Sequence, residues 1–132
     1  MQKSNVAALG RLLLSLLFVL SGLSKLAAPA AIQGYIASVG LPLPTVGYAI
    51  AIVVELGFGL ALLVGFRTRL VAAVLAVFTL AVAFLFHNNF ADQNTLVHFL
   101  KNIAIAGGLL QLVAFGGGSF SLDARRLRLA PQ

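Results

Sequence analysis

Glu55 has the most chemistry to offer, because it lies inside an otherwise apolar stretch, with Ala49–Val54 before it and Leu56–Val64 after it. A carboxylate at bilayer depth is costly, so it must face protein, be paired, or stay protonated. Three roles are open to it: a proton or cation relay, a polar anchor inside a ligand cavity, or a purely architectural bond between helices. Lys101 is the expected partner. It lies about two turns inside a later apolar segment, and at about 1.5 Å per residue a Lys side chain covers the remaining difference in depth. Lys25 is the rival, at the end of the first apolar segment, where snorkelling to the interface costs little. If both lysines approach Glu55, the cluster is net positive and attracts an anion or an electron-rich headgroup.

His87 and His98 flank a polar loop. With Asp92 and Glu55 they offer enough ligand atoms for a metal, but their spacing matches no compact ligand motif, so no metal site and no catalytic constellation is expected. Interfacial hydrogen bonding is the plainer role for both, and proton acceptance near the mouth of a bundle is the sharper one. Asn102, within about a turn of His98, adds a donor and an acceptor there. The candidate polar pocket is therefore Glu55, Lys101, Lys25, His87 and Asn102. At the opposite end Arg11 is expected to pair with Asp123, while Arg67 and Arg69 meet lipid phosphates. No cysteine is present, which removes disulfides, thiol redox motifs and Cys-ligated clusters.

Apolar helices must position these residues. The 132-residue chain is 61% hydrophobic with nine Lys or Arg and three Asp or Glu, whereas a soluble domain devotes about a quarter of its residues to charge. A spanning helix takes about 20 residues, and spans at about 7–27, 44–65, 69–86 and 96–115 use nearly the whole length. Residues 1–132 thus read as a single transmembrane domain. The fold class is an all-α integral membrane protein, an antiparallel four-helix transmembrane bundle. Between spans one and two, Ile32, Tyr35, Ile36 and Val39 recur at helical spacing, giving either a short interfacial helix or a plain loop. Gly57, Gly59, Gly107 and Gly108 provide places for close backbone approach. Runs such as Ala49–Val54 do not alternate, which argues against a membrane β-barrel.

The net charge of +6 comes from basic residues scattered between apolar runs rather than gathered on one face, so no nucleic-acid partner is expected. A first helix that doubles as the targeting signal fits better than a cleaved signal peptide, despite Ala27-Ala28-Pro29-Ala30. Lys3, Arg11, Arg67, Arg69, Arg125, Arg126 and Arg128 share one side of the bundle, against Lys25 and Lys101 on the other. The positive-inside rule then places both termini in the cytoplasm and the His87–Thr95 loop outside. Labelling from outside should reach Asn89 and spare Thr68 and Gln132.

The chain resembles the DoxX family of small bacterial and archaeal membrane proteins. The stretches that carry the likeness are Gly10-Arg11, Ser21-Gly22 with Lys25, Gly40-Leu41-Pro42, Glu55-Leu56 and Gly65-Phe66-Arg67-Thr68-Arg69, then His87, Phe99-Leu100-Lys101-Asn102, Gly107-Gly108 and Ser121-Leu122-Asp123. They run in order from about residue 8 to residue 123. The resemblance implies an inner-membrane protein. The family takes its name from a small subunit associated with an archaeal thiosulfate:quinone oxidoreductase, and related proteins are described as membrane partners in oxidant and thiol stress defence. It brings no catalytic set that can be carried over.

The leading expectation is an accessory or membrane-anchoring subunit of a redox, quinone-linked or stress-defence complex. It would have no intrinsic cofactor, a contact with quinone, and a membrane or peripheral oxidoreductase as partner. One alternative is a small-molecule or ion carrier acting as a homo-oligomer, since the chain is short for a transporter and shows no internal repeat. The other is an enzyme on a lipid-soluble substrate with Glu55 as acid or base.

Overall fold

The structure is a computed structural model that describes residues 2–129; Gln132 lies outside them. Among the described residues six helices follow in order: α1 Lys3–Ala27, α2 Pro29–Ser38, α3 Pro44–Val64, α4 Thr68–Phe86, α5 Gln93–Phe115 and α6 Leu122–Leu129. Four of them, α1, α3, α4 and α5, are long and apolar enough to cross a membrane. No strand occurs among the described residues. Leu13, Leu20, Val53, Val77 and Leu110 are each more than half exposed. In water such a surface would be one large sticky patch; in lipid it is the solvated face.

Helix boundaries follow local chemistry. Pro44 opens α3 at its first turn, where the missing N–H costs nothing. The same helix ends at Gly65, whose φ of +69° lets the chain turn back. There the Phe66 N–H donates to the Ala61 carbonyl at 2.9 Å and the Gly65 N–H to the Leu62 carbonyl at 3.1 Å, the Schellman pattern. Asp92 caps α5, accepting from the Asn94 N–H at 3.1 Å and the Thr95 hydroxyl at 3.0 Å. That cap moves the start of α5 ahead of the expected residue 96. Likewise α1 begins at Lys3, before the expected residue 7.

The region between the first two spans is a helix, α2, not a plain loop. Its Ile36 is buried, and the Tyr35 hydroxyl donates to the Phe86 carbonyl at 3.3 Å. The basic C-terminal tail also forms a helix, α6, which composition had not suggested. Its signal is Ser121, whose Oγ accepts from the Ala124 N–H at 3.0 Å as an N-cap.

The spanning helices alternate in direction. The start of α1, the α3–α4 turn and the end of α5 meet at one end, as the Ser119 N–H to Ser4 carbonyl bond (3.2 Å) and the Asp123 N–H to Gly65 carbonyl bond (3.0 Å) show. We call this the terminal end and the other the His87 end. The core between them is built from Phe18, Leu62, Leu75, Ala76, Leu109 and Leu112 with their neighbours, and α4 with α5 is the most closely packed pair. Helices α1 and α3 approach through two small residues. A Cβ on Gly22 would stand 2.6 Å from Leu56 Cγ, and one on Gly59 would stand 3.1 Å from Phe18 Cβ. Gly57 and Gly107 meet nothing within 4 Å, and Gly108 has ordinary contact distance to Leu14. The close approaches are therefore at Gly22 and Gly59.

Candidate functional site

The turn of α3 that carries Glu55 is a π-helix, Val53–Phe58. Its backbone bonds reach five residues instead of four, a rare form concentrated at functional sites. Gly22 lets α1 come against this turn, close to the Leu56 backbone nitrogen. Lys25, one turn further along α1, then arrives beside Glu55. Its ammonium donates to Oε1 at 2.9 Å and lies 2.8 Å from Oε2 at a poorer angle, so Oε2 gains the charge contact without a directed hydrogen bond. Ser21 Oγ accepts a further bond from Lys25 at 3.0 Å. The Glu55 side chain is 8% exposed and that of Lys25 24%. This is the only ion pair among the described residues.

Lys101 is not part of this arrangement. It is exposed on α5 and makes no ion pair among the described residues. Helical phase explains the difference from expectation: Asn102 is turned toward α4, donating to the Thr79 carbonyl at 3.3 Å. One residue earlier is about 100° around the helix, which carries Lys101 off that face. Depth matched, but direction did not.

Beside the pair lies a cavity of about 190 Å³. Lys25, Glu55, Ser21, Thr79, His87 and Asn102 give it a polar lining, and Leu17, Phe18, Phe78, Val82 and Ile105 the apolar walls. Thr79 Oγ1 is buried with no hydrogen-bond partner among the described residues. Sequence reasoning missed Thr79, since a lone Thr in an apolar helix commonly bonds its own backbone. His87 closes the helix end and stacks on His98 with ring centroids 5.3 Å apart and planes 26° apart. Burial, followed by the charge of His98, pulls the His87 pKa below its ordinary value. Its imidazole is thus biased toward the neutral form, able to accept or donate one hydrogen bond. His98 is exposed and stays outside the cavity. No group of three potential metal ligands forms among the described residues.

At the terminal end, Arg11 and Asp123 do not form the expected pair. Arg11 is 1% exposed and donates to the Gly117 carbonyl at 3.2 Å and the Phe120 carbonyl at 2.9 Å. Asp123 instead receives the Arg67 N–H at 2.8 Å and the Thr68 N–H at 2.7 Å, so it caps α4 from another segment. Burial tends to raise the Asp123 pKa, but the bonds from Thr68 and Arg67 and the charge of Arg126 outweigh it and hold the carboxyl below its ordinary value. Carbonyl groups turned inward by the Gly116–Phe120 loop were the better match for a buried guanidinium, and free N–H groups at a helix start for a carboxylate.

The sequence model of the DoxX family matches residues 6–88, which span α1 through α4 and include Lys25, Glu55 and His87. The chain belongs to the DoxX family. Two Escherichia coli (strain K12) DoxX-like proteins are similar along most of their length. Inner membrane protein YqjF is 42% identical over 115 residues, 86% of this chain and 85% of that protein. Inner membrane protein YphA is 32% identical over 122 residues, 89% of this chain and 87% of that protein. No solved structure matches. Asn102, Lys101 and Asp123 lie beyond the stretch that the DoxX model covers.

Proposed function

We propose that this DoxX protein is an accessory subunit of the inner membrane whose cavity receives a quinone-type headgroup on behalf of an oxidoreductase partner. The observation that carries the reading is the cavity beside the Lys25–Glu55 pair, where Thr79, whose hydroxyl has no hydrogen-bond partner among the described residues, Asn102 and His87 line a space between apolar walls. Quinone carbonyls are acceptors, and Thr79, Asn102 and Lys25 would hold them with N–H and O–H donors. Leu17, Phe78 and Val82 would receive the ring, and the ion pair would keep Lys25 in place. A quinone bound there supplies two-electron redox chemistry that the side chains lack. The inner-membrane placement draws on the names of the two relatives, and cytoplasmic termini on the bias of basic residues toward the terminal end.

The test is titration of the detergent-purified protein with a short-chain quinone, read as Tm. Binding should raise Tm in the wild type, as any ligand of the folded state does, and much less in Thr79→Val or Asn102→Leu. No shift at saturating quinone, or equal shifts in all three proteins, overturns the reading. A second reading, a proton-coupled carrier acting as an oligomer, draws on the same buried charge pair lying near the stacked histidines. Proton uptake into vesicles that is abolished by Glu55→Gln, with no quinone effect on Tm, would favour it.

A further inference from the structure

A second concavity, of about 900 Å³, opens at the terminal end, far from the Lys25–Glu55 cavity. Its basic lining is Arg67, Arg69 and Arg126, and its apolar lining includes Phe115 and Leu127, which are 76% and 79% exposed. None of the three arginines makes an ion pair among the described residues. The one carboxylate in the lining, Asp123, has each oxygen committed to a backbone N–H of α4. The cleft therefore sets three guanidinium charges against the single carboxylate of Asp123 and is net positive. Its floor is held in place: Arg67 has a φ of +46° and is fixed there by its N–H bond to Asp123, and Arg69 is anchored by donating to the Ala114 carbonyl at 2.9 Å. Helix α6 forms another wall, held to the α3–α4 turn by the Asp123 N–H bond to the Gly65 carbonyl and by the Asp123 carboxylate bonds from the Arg67 and Thr68 N–H groups.

We infer that this cleft binds the phosphodiester headgroup of one anionic glycerophospholipid, with acyl chains running along Phe115 and Leu127 into the bilayer. Guanidinium forks match phosphate oxygens in geometry and charge. Phe115 and Leu127 line the same concavity and offer apolar surface to the glycerol and upper acyl carbons of such a lipid. A soluble phosphate would use the arginines and leave that apolar wall idle. Diffuse attraction of a basic tail to an anionic surface would need no cleft at all.

The experiment separates these cases. Detergent-purified protein is mixed with phosphatidylglycerol, phosphatidylcholine or inorganic phosphate, and bound lipid is counted by native mass spectrometry alongside Tm. Two double variants remove the same charge: Arg67→Gln with Arg126→Gln inside the cleft, and Arg125→Gln with Arg128→Gln on α6 outside its lining. The expected result is one retained phosphatidylglycerol and a raised Tm in the wild type. Affinity should fall roughly tenfold or more in the first variant and stay within about twofold in the second. Equal losses in both variants, equal retention of phosphatidylcholine, or the full Tm shift from inorganic phosphate would each overturn the site. Far-UV circular dichroism confirms that the first variant is folded, and a cleft variant that is folded yet retains the lipid also overturns it.

Discussion

Lys25 meets Glu55 at the π turn while donating a second bond to Ser21, and so little of the Glu55 side chain is exposed that removing Lys25 would strand the carboxylate. Orphaning one member of a buried pair costs more than removing both. Glu55→Gln alone or Lys25→Met alone should lower stability by roughly 1–4 kcal/mol, and the double replacement should recover much of it. Denaturation in detergent measures the cycle, and additive losses would refute the coupling. Lys101→Met should stay within about 0.5 kcal/mol, as for other exposed positions. The existence of a buried charge at Glu55 was legible in the sequence, because a carboxylate inside an apolar run has few options. Its partner was not. Lys25 and Lys101 both suited the depth, and choosing between them needs the rotational phase of two helices and the opening made by Gly22.

Among the elements, spans and directions could be read from apolar length and the position of Pro44, Gly65 and the polar loop. The π turn could not, because Val53–Phe58 has the composition of an ordinary apolar helix; it lies where α1 comes closest, at Gly22. Helix α6 was legible in principle from Ser121 but was masked by the density of arginine after it. The glycines show the same division between composition and context. Gly22 meets Leu56 at less than van der Waals distance from any added Cβ, whereas Gly107 faces open space. Gly22→Leu should therefore lower Tm strongly, by an overpacking cost of about 1–3 kcal/mol, and weaken the Lys25–Glu55 coupling. Gly107→Leu should leave Tm nearly unchanged. Similar melting of the two variants would mean that α1 and α3 do not meet as closely as described.

For the whole molecule, the start of α1, the α3–α4 turn and the segment from Ser119 to Asp123 lie at one end by direct contact, and the positive-inside rule predicts the cytoplasmic side for that end. Single-cysteine labelling from outside intact cells should modify Asn89→Cys and leave Lys3→Cys and Arg128→Cys untouched; the reverse pattern inverts the orientation. These exposed positions are better probes than Thr68, which is 1% exposed and would be protected from either side. The distribution of function is also a property of the whole. The polar cavity near His87 and the basic cleft near Asp123 occupy opposite ends of the same bundle, so a ligand at either leaves the other accessible.

Arg11 leaves the ribosome 106 and 109 residues ahead of the two carbonyls it bonds, those of Gly117 and Phe120. During synthesis α1 cannot complete these bonds until α2 and the three further spans have been made. Only then can the closing loop fold over it. The buried arginine thereby ties the first span to the loop after the fourth: a chain interrupted before residue 117 would leave that guanidinium without either carbonyl.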